Sequence, residues 1–231
     1  MVIHEEKNMT KIVQQTLFDL RETNYLLTRF NPGVAEPDDL DVLIRPNDFK
    51  KSIELLKTKG YQCSSHDQAL GGRIAGMQIN LTKPKRIKID LHQDFTWRKK
   101  RYMNIEKIWL NSRQNRIDST WDAFLIMVNV IFEKTYFMPT DFELFINHWG
   151  DIKKSQEFTE QTIQYNWNAT FINFVKWIEN QQLKPKFPLF LPVKLILYSY
   201  QEKSDFVSLA YYVFFRIRYL VNQTLPYEKQ L

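Results

Sequence analysis

The stretch "EPDDLDVLIRP" (residues 36–46) constrains the fold most. Leu40, Val42 and Ile44 alternate with Asp39, Asp41 and Leu43. Alternation at period two predicts a strand with one apolar face and one face that carries acids. Three aspartates as close as Asp38, Asp39 and Asp41 repel one another, so a cation or open water is expected beside them. The stretch "RIKIDLHQDF" (86–95) repeats the pattern, with Ile87, Ile89 and Leu91 on one face and Lys88, Asp90, His92 and Asp94 on the other. If the two strands are neighbours in one sheet, Asp39, Asp41 and Asp90 converge on one surface. Three convergent carboxylates, which offer only acceptor oxygens, are the ligand set that Mg²⁺ or Mn²⁺ prefers.

The periodicities around these strands define two regions. Residues 8–23 read as a helix with an Ile12, Leu17, Leu20 stripe, and "NYLLTRF" (24–30) as a strand entering the "NPG" turn. "PNDFKKSIELLKTKGY" reads as a helix begun by Pro46 and Asn47 and ended by Gly60. "YQCSSH" and "RIAGMQINL" read as strands, the latter joined to 86–95 through "TKPK". From Asp118 onward six apolar-periodic segments, the first 118–137 and the last 205–221, read as helices. The expectation is an α+β chain. Its mixed-sheet domain with flanking helices spans residues 1–117, and an all-helical domain spans 118–231.

Composition narrows the function classes. An apolar fraction of 44% and a charged fraction of 25% are those of a globular protein. A lone cysteine, Cys63, excludes an internal disulfide framework. The first residues do not read as a secretory leader, and "FVSLAYYVFFRIRYLV" is interrupted by Arg216 and Arg218, so no membrane span is expected and a cytoplasmic location is the default expectation. No P-loop, dinucleotide glycine run or cysteine metal motif is present in the sequence. The net charge of +6 resides in residues 1–118, with 21 Lys/Arg against 15 Asp/Glu, whereas 119–231 hold 11 of each. Much of the excess sits in 83–88 and 98–101, clusters that attract phosphate on nucleic acid or nucleotide. The aromatic-rich second half could also receive a protein partner.

"DDLDVLIRPNDFKKSIELLKTKGY", followed by "IKIDLHQDF", resembles the nucleotidyltransferase superfamily with a DNA-polymerase-beta-like palm. More narrowly it resembles an uncharacterised bacterial and archaeal branch of it, over roughly residues 24–97. The resemblance implies metal-dependent transfer of a nucleoside monophosphate from an NTP to an acceptor hydroxyl on RNA such as tRNA, on a protein or on a small molecule. It implies Asp39 and Asp41 as metal ligands, and Asp90 as third ligand or as the base that takes the hydroxyl's proton. The superfamily's Gly-Ser pair after the first strand is replaced here by Thr28 and Arg29. Arg29 could grip phosphate or block the pocket. That departure keeps open a second reading, a catalytically silent module that binds nucleic acid, nucleotide or protein. Lys134 corresponds to a region that faces the nucleotide in related enzymes, and His92 could line the site. On these terms Asp41→Asn would end activity and leave folding largely intact.

Overall fold

Both acid-bearing stretches are strands, and they lie side by side. The computed structural model describes residues 11–31, 37, 39–63, 78–97, 100–101, 103–152, 154–164, 167–181 and 187–197, with 213, 214 and 217. Among the described residues the first elements are helix α1 (Lys11–Leu20), strand β1 (Tyr25–Thr28) and strand β2 (Asp39–Ile44). Helix α2 (Pro46–Thr58) and strands β3 (Gln62–Cys63), β4 (Gln78–Thr82) and β5 (Lys88–His92) follow. The five strands form one mixed sheet in the order β1-β2-β5-β4-β3, in which β2 and β5 run parallel and the other pairs antiparallel.

The register sorts the side chains by face. Leu27, Val42, Leu91 and Ile79 form one row across four strands, and Leu40, Ile89 and Leu81 form the next. These residues pack with Val13 and Leu20 of α1 and Phe49, Ile53 and Leu56 of α2 into one core. Each buried side chain of this kind removes about 1.5–3 kcal/mol worth of apolar surface from water. The opposite face carries the row Thr28, Asp41, Asp90, Asn80, all four buried.

Helix α2 is placed by its ends. Pro46 stands in its first turn, where a missing N–H costs nothing. At its far end the Gly60 N–H donates to the Lys57 carbonyl and the Tyr61 N–H to the Leu56 carbonyl, at 2.9 and 3.1 Å. These two bonds are those of a Schellman motif, with Gly60 at φ 89°. They turn the chain back so that Tyr61 joins Leu56 in the core.

Beyond the sheet come the short strands β6 (Thr96–Trp97) and β7 (Lys100–Arg101), paired with each other, and helices α3 (Ile105–Asn111) and α4 (Ser119–Val128). The helix expected over 118–137 does not run its full length. A π-helical turn covers Asn129–Lys134, and Thr135 at φ 63° reverses the chain, its N–H closing on the Val130 carbonyl at 2.7 Å. Tyr136–Phe137 then forms strand β8, which pairs with β9 (Leu189–Phe190). The C-terminal part is helical as expected, with the two-stranded β8–β9 pair added to it among the described residues. Among its described residues it also has α5 (Pro139–Ile152), α6 (Gln156–Gln164) and α7 (Asn168–Gln181), with further helical residues at 193–197. The expected strand segment 73–77 and most of the expected helix 205–221 lie outside the described residues.

The chain divides into two compact units, residues 1–123 with 143–153, and residues 124–142 with 154–231. The second has an aromatic core in which Phe124 stacks on Trp167 and Phe137 on Trp177. No helix among the described residues is long and apolar enough to cross a membrane.

Gly60 gives the fold a direct test. A methyl added there meets nothing closer than Lys83 Cε at 4.0 Å, so the cost of Gly60→Ala comes from the left-handed backbone alone. Chemical denaturation should show a loss of about 1–2 kcal/mol with an unchanged m-value. No loss would mean that the turn is not held in that conformation.

Candidate active site

The site begins as a register fact. In the parallel β2–β5 pair Asp41 stands opposite Asp90, and Asp39 opposite Lys88. Partners in register point to the same face, so the three predicted carboxylates share one surface. Asp41 and Asp90 are 7% and 6% exposed, while Asp39, at the strand's start, is half-buried. Asp38 lies outside the described residues. Two buried carboxylates directly opposite each other are unstable unless cations or protons intervene.

Cations from the chain itself intervene. The Lys88 ammonium lies 3.1 Å from Asp39 Oδ2 and 3.1 Å from Asp90 Oδ2, bridging the two carboxylates. The Arg29 guanidinium donates to Asp41 Oδ2, and His92 Nε2 donates to Asp41 Oδ1 at 3.1 Å. A carboxylate only accepts, so Nε2 of His92 carries the hydrogen in this contact. The expectation that no neighbouring lysine would stand against these acids is corrected, since Lys88 lies against both Asp39 and Asp90. Lysine, arginine and histidine hold them here, because alternation that brings Asp90 to this face brings Lys88 and His92 with it.

The two facing acids respond in opposite directions. Burial raises the proton affinity of Asp41, but the Arg29 charge and the His92 hydrogen bond outweigh it and hold its pKa well below the usual range. Burial and the Asp41 charge push Asp90 up to about 6, with Lys88 offsetting only part. Asp90 Oδ1 is buried without a hydrogen-bond partner, and so is His92 Nδ1.

Arg29 is set by its backbone as well as its charge. It adopts φ 51°, the left-handed region that favours glycine, and its N–H donates to Asp122 Oδ1 in α4. His148 Nε2 stands 3.7 Å from the other Asp122 oxygen. The replaced Gly-Ser position therefore keeps a glycine-like backbone with an arginine in it, locked by Asp122. Thr28, the other predicted contact there, is buried with its hydroxyl 3.4 Å from the Asp41 carbonyl, against the strand that carries the acid. Lys134 belongs to the second unit, where its ammonium donates to Asp141 Oδ2 at 2.7 Å.

The basic stretch 83–88 is largely committed inside the fold. Lys83 and Arg86 both reach Asp19 Oδ2 of α1, at 3.2 and 2.9 Å, and Tyr61 donates to the same oxygen. With Lys88 on Asp39 and Asp90, this leaves Lys85 as the stretch's lysine without an acidic partner among these contacts. Of 98–101, residues 98 and 99 lie outside the described residues.

Residues 31–127 match the model of a family described as uncharacterised nucleotidyltransferase. That segment is similar to nucleotidyltransferases. The match includes Asp39, Asp41 and Asp90 and ends within α4, and the remainder of the helical part lies beyond it. No curated protein and no solved structure matches the chain.

Three carboxylates suit a divalent cation by donor type, and the unpartnered buried Asp90 Oδ1 has capacity for one more bond. Among the described residues no three His, Cys, Asp or Glu side chains are now grouped as a metal would require. The carboxylates are instead arranged around Lys88 and Arg29.

The sequence reading did not foresee the weight of Lys88, His92 and Asp122. The first two were legible as neighbours of Asp90 on its face. Asp122 had no signal, since it meets Arg29 across 93 residues of chain.

Two stability measurements probe this electrostatic balance. Because the folded pKa of Asp90 lies above its unfolded value, the folded state binds the extra proton between about pH 4 and 6. Its stability should therefore fall as pH rises through that window, by about 2–3 kcal/mol in metal-free buffer. Asp90→Asn should flatten this slope and melt higher than wild type at pH 7. An unchanged slope in the variant would assign the effect to another group. The pairing of Asp41 acts lower, being present above about pH 4 and lost as pH falls through its depressed folded pKa. Removing its partner by Arg29→Ala should cost roughly 2 kcal/mol, below the full figure for a broken buried pair because the arginine is 22% exposed. Arg29→Gly should retain roughly 0.5–1 kcal/mol more than Arg29→Ala, since glycine accepts the left-handed backbone. Equal losses would deny that the backbone conformation is part of the cost. By the same pairing, Asp41→Asn should cost stability, since Arg29 and His92 would lose their ionised partner.

Proposed function

We propose that this chain is a metal-dependent nucleotidyltransferase that moves a nucleoside monophosphate from an NTP to an acceptor hydroxyl. The observation that carries this reading is the in-register pair Asp41 and Asp90, with Asp39 beside them, within the segment matched to the nucleotidyltransferase family. Asp39, Asp41 and Asp90 would hold Mg²⁺ or Mn²⁺. A divalent cation bound there would neutralise the triphosphate and stabilise the departing pyrophosphate.

The chain's own groups divide the remaining work. Asp41, clamped by Arg29 and His92, stays ionised and is a poor proton acceptor. Where Asp39 and Asp41 alone hold the ion, Asp90, pushed up to about 6 by burial and the Asp41 charge, is matched instead to take the proton of the attacking hydroxyl near neutrality. The hydroxyl oxygen bonds the α-phosphorus in line with the breaking bond, and pyrophosphate leaves with that bond's electron pair. Arg29, once released from Asp41, is the cation nearest the acids that can fork onto phosphate oxygens. The acceptor is taken as tRNA or another RNA, with Lys85 and the 98–101 segment as the basic contacts, since Lys83, Arg86 and Lys88 are engaged elsewhere. A protein or small-molecule acceptor is the alternative outcome. A silent binding module is the second reading, favoured by the closure of Arg29 and Lys88 over the acids.

The test is incubation with each labelled NTP and Mg²⁺ or Mn²⁺, with and without total tRNA. Wild type should transfer label, and Asp39→Asn and Asp90→Asn should each lose more than about 100-fold. That exceeds the roughly 10–100-fold expected for losing a mere neighbour of a ligand. Absence of transfer together with tight, metal-independent nucleotide binding would establish the silent module instead.

A further inference from the structure

The side chain that most resembles a bound ion at this site is Lys88. It enters from β5, two residues before Asp90 and in register with Asp39, so one ammonium sits 3.1 Å from a carboxylate on each of two neighbouring strands. A divalent cation bridging the same two carboxylates, through any of their oxygens, would stand within a few ångströms of that ammonium, and two cations that close repel one another strongly. Lys88 is also the movable member of the group. Its side chain is 38% exposed, on a long flexible stem, whereas Asp90 is 94% buried on a central strand with one oxygen on Lys88 and the other unpartnered.

We propose that Lys88 is a tethered plug of the carboxylate site: its ammonium occupies the Asp39–Asp90 bridge until a divalent cation displaces it and drives the side chain outward. The proposal rests on the metal-dependent reading above and adds a regulation to it. Divalent-ion affinity is set by a competition inside the chain, so the site stays closed to weakly held ions and opens when ion and nucleotide together offset the loss of the lysine. The displaced ammonium, still attached to β5, remains beside the acids, where a triphosphate's charge would hold it away from them.

The probe is Mn²⁺ with the full chain and no nucleotide, free ion being read by electron paramagnetic resonance. Lys88→Met should bind Mn²⁺ at least about tenfold more tightly than wild type, a preference of about 1.4 kcal/mol. Lys88→Arg, which keeps the charge, should remain near wild type, and Asp90→Asn should lose binding. A second measurement on wild type alone covers failure of a variant to fold. Limited amine acylation read by mass spectrometry should show Lys88 modification rising several-fold on Mn²⁺ addition, normalised to the exposed Lys50 and Lys51. Equal affinity in wild type and Lys88→Met, or Lys88 labelling indifferent to Mn²⁺ that does bind, would overturn the plug and leave the metal-dependent function standing. No Mn²⁺ binding by any form would overturn both.

Discussion

The parallel pairing of β2 with β5 is the constraint on which the site depends. A slip of one residue between these strands would turn Asp90 into the core and Ile89 out of it. The apolar rows Leu27–Val42–Leu91–Ile79 and Leu40–Ile89–Leu81 prevent that, because both helices pack on them. The same rows therefore hold two carboxylates together on the other face against their mutual repulsion. Parallel neighbours need a crossover, and the segment from α2 through β4 supplies it, with the Gly60 turn directing the chain back. Hydrophobic burial on one side of the sheet is what makes an unfavourable cluster affordable on the other.

The cluster's charges come from both flanks of β2. Arg29 follows β1, and Lys88 and His92 come from β5, so Asp41 and Asp90 meet different cations despite facing each other. That asymmetry drives their proton affinities apart. The row Thr28–Asp41–Asp90–Asn80 is almost shut off from water, where charge interactions are screened least. Small displacements of Lys88 or Arg29 therefore change the site more than equal displacements on an exposed surface would.

Alternation in 39–44 and 88–92 made both faces legible, and the strand–helix–hairpin order carried the family resemblance. Register was not legible, since nothing local says which strands are adjacent. The basic stretch 83–88 read as a phosphate-attracting patch because its acid, Asp19, is remote in sequence and lies on another element. Lys88 was visible on the acidic face, yet carboxylates crowded together suggested a missing ion rather than one carried by the adjacent strand. In the second part the helical period holds through α4 and fails at Thr135, where a left-handed residue starts a strand whose partner, β9, is some fifty residues later.

Arg29 occupies a backbone conformation that favours glycine. A chain lacking the Gly-Ser pair would be expected to lose the tight turn that such residues permit. Here the turn's left-handed backbone persists at φ 51°, stabilised by the Asp122 carboxylate accepting the Arg29 N–H. An aspartate from a later helix thus offsets the steric cost that glycine would avoid. The Arg29 side chain reaches Asp41 from this left-handed backbone, so the position delivers a guanidinium to the acid. What the arginine adds is a positive charge held directly against Asp41, on the strand that also carries Asp39.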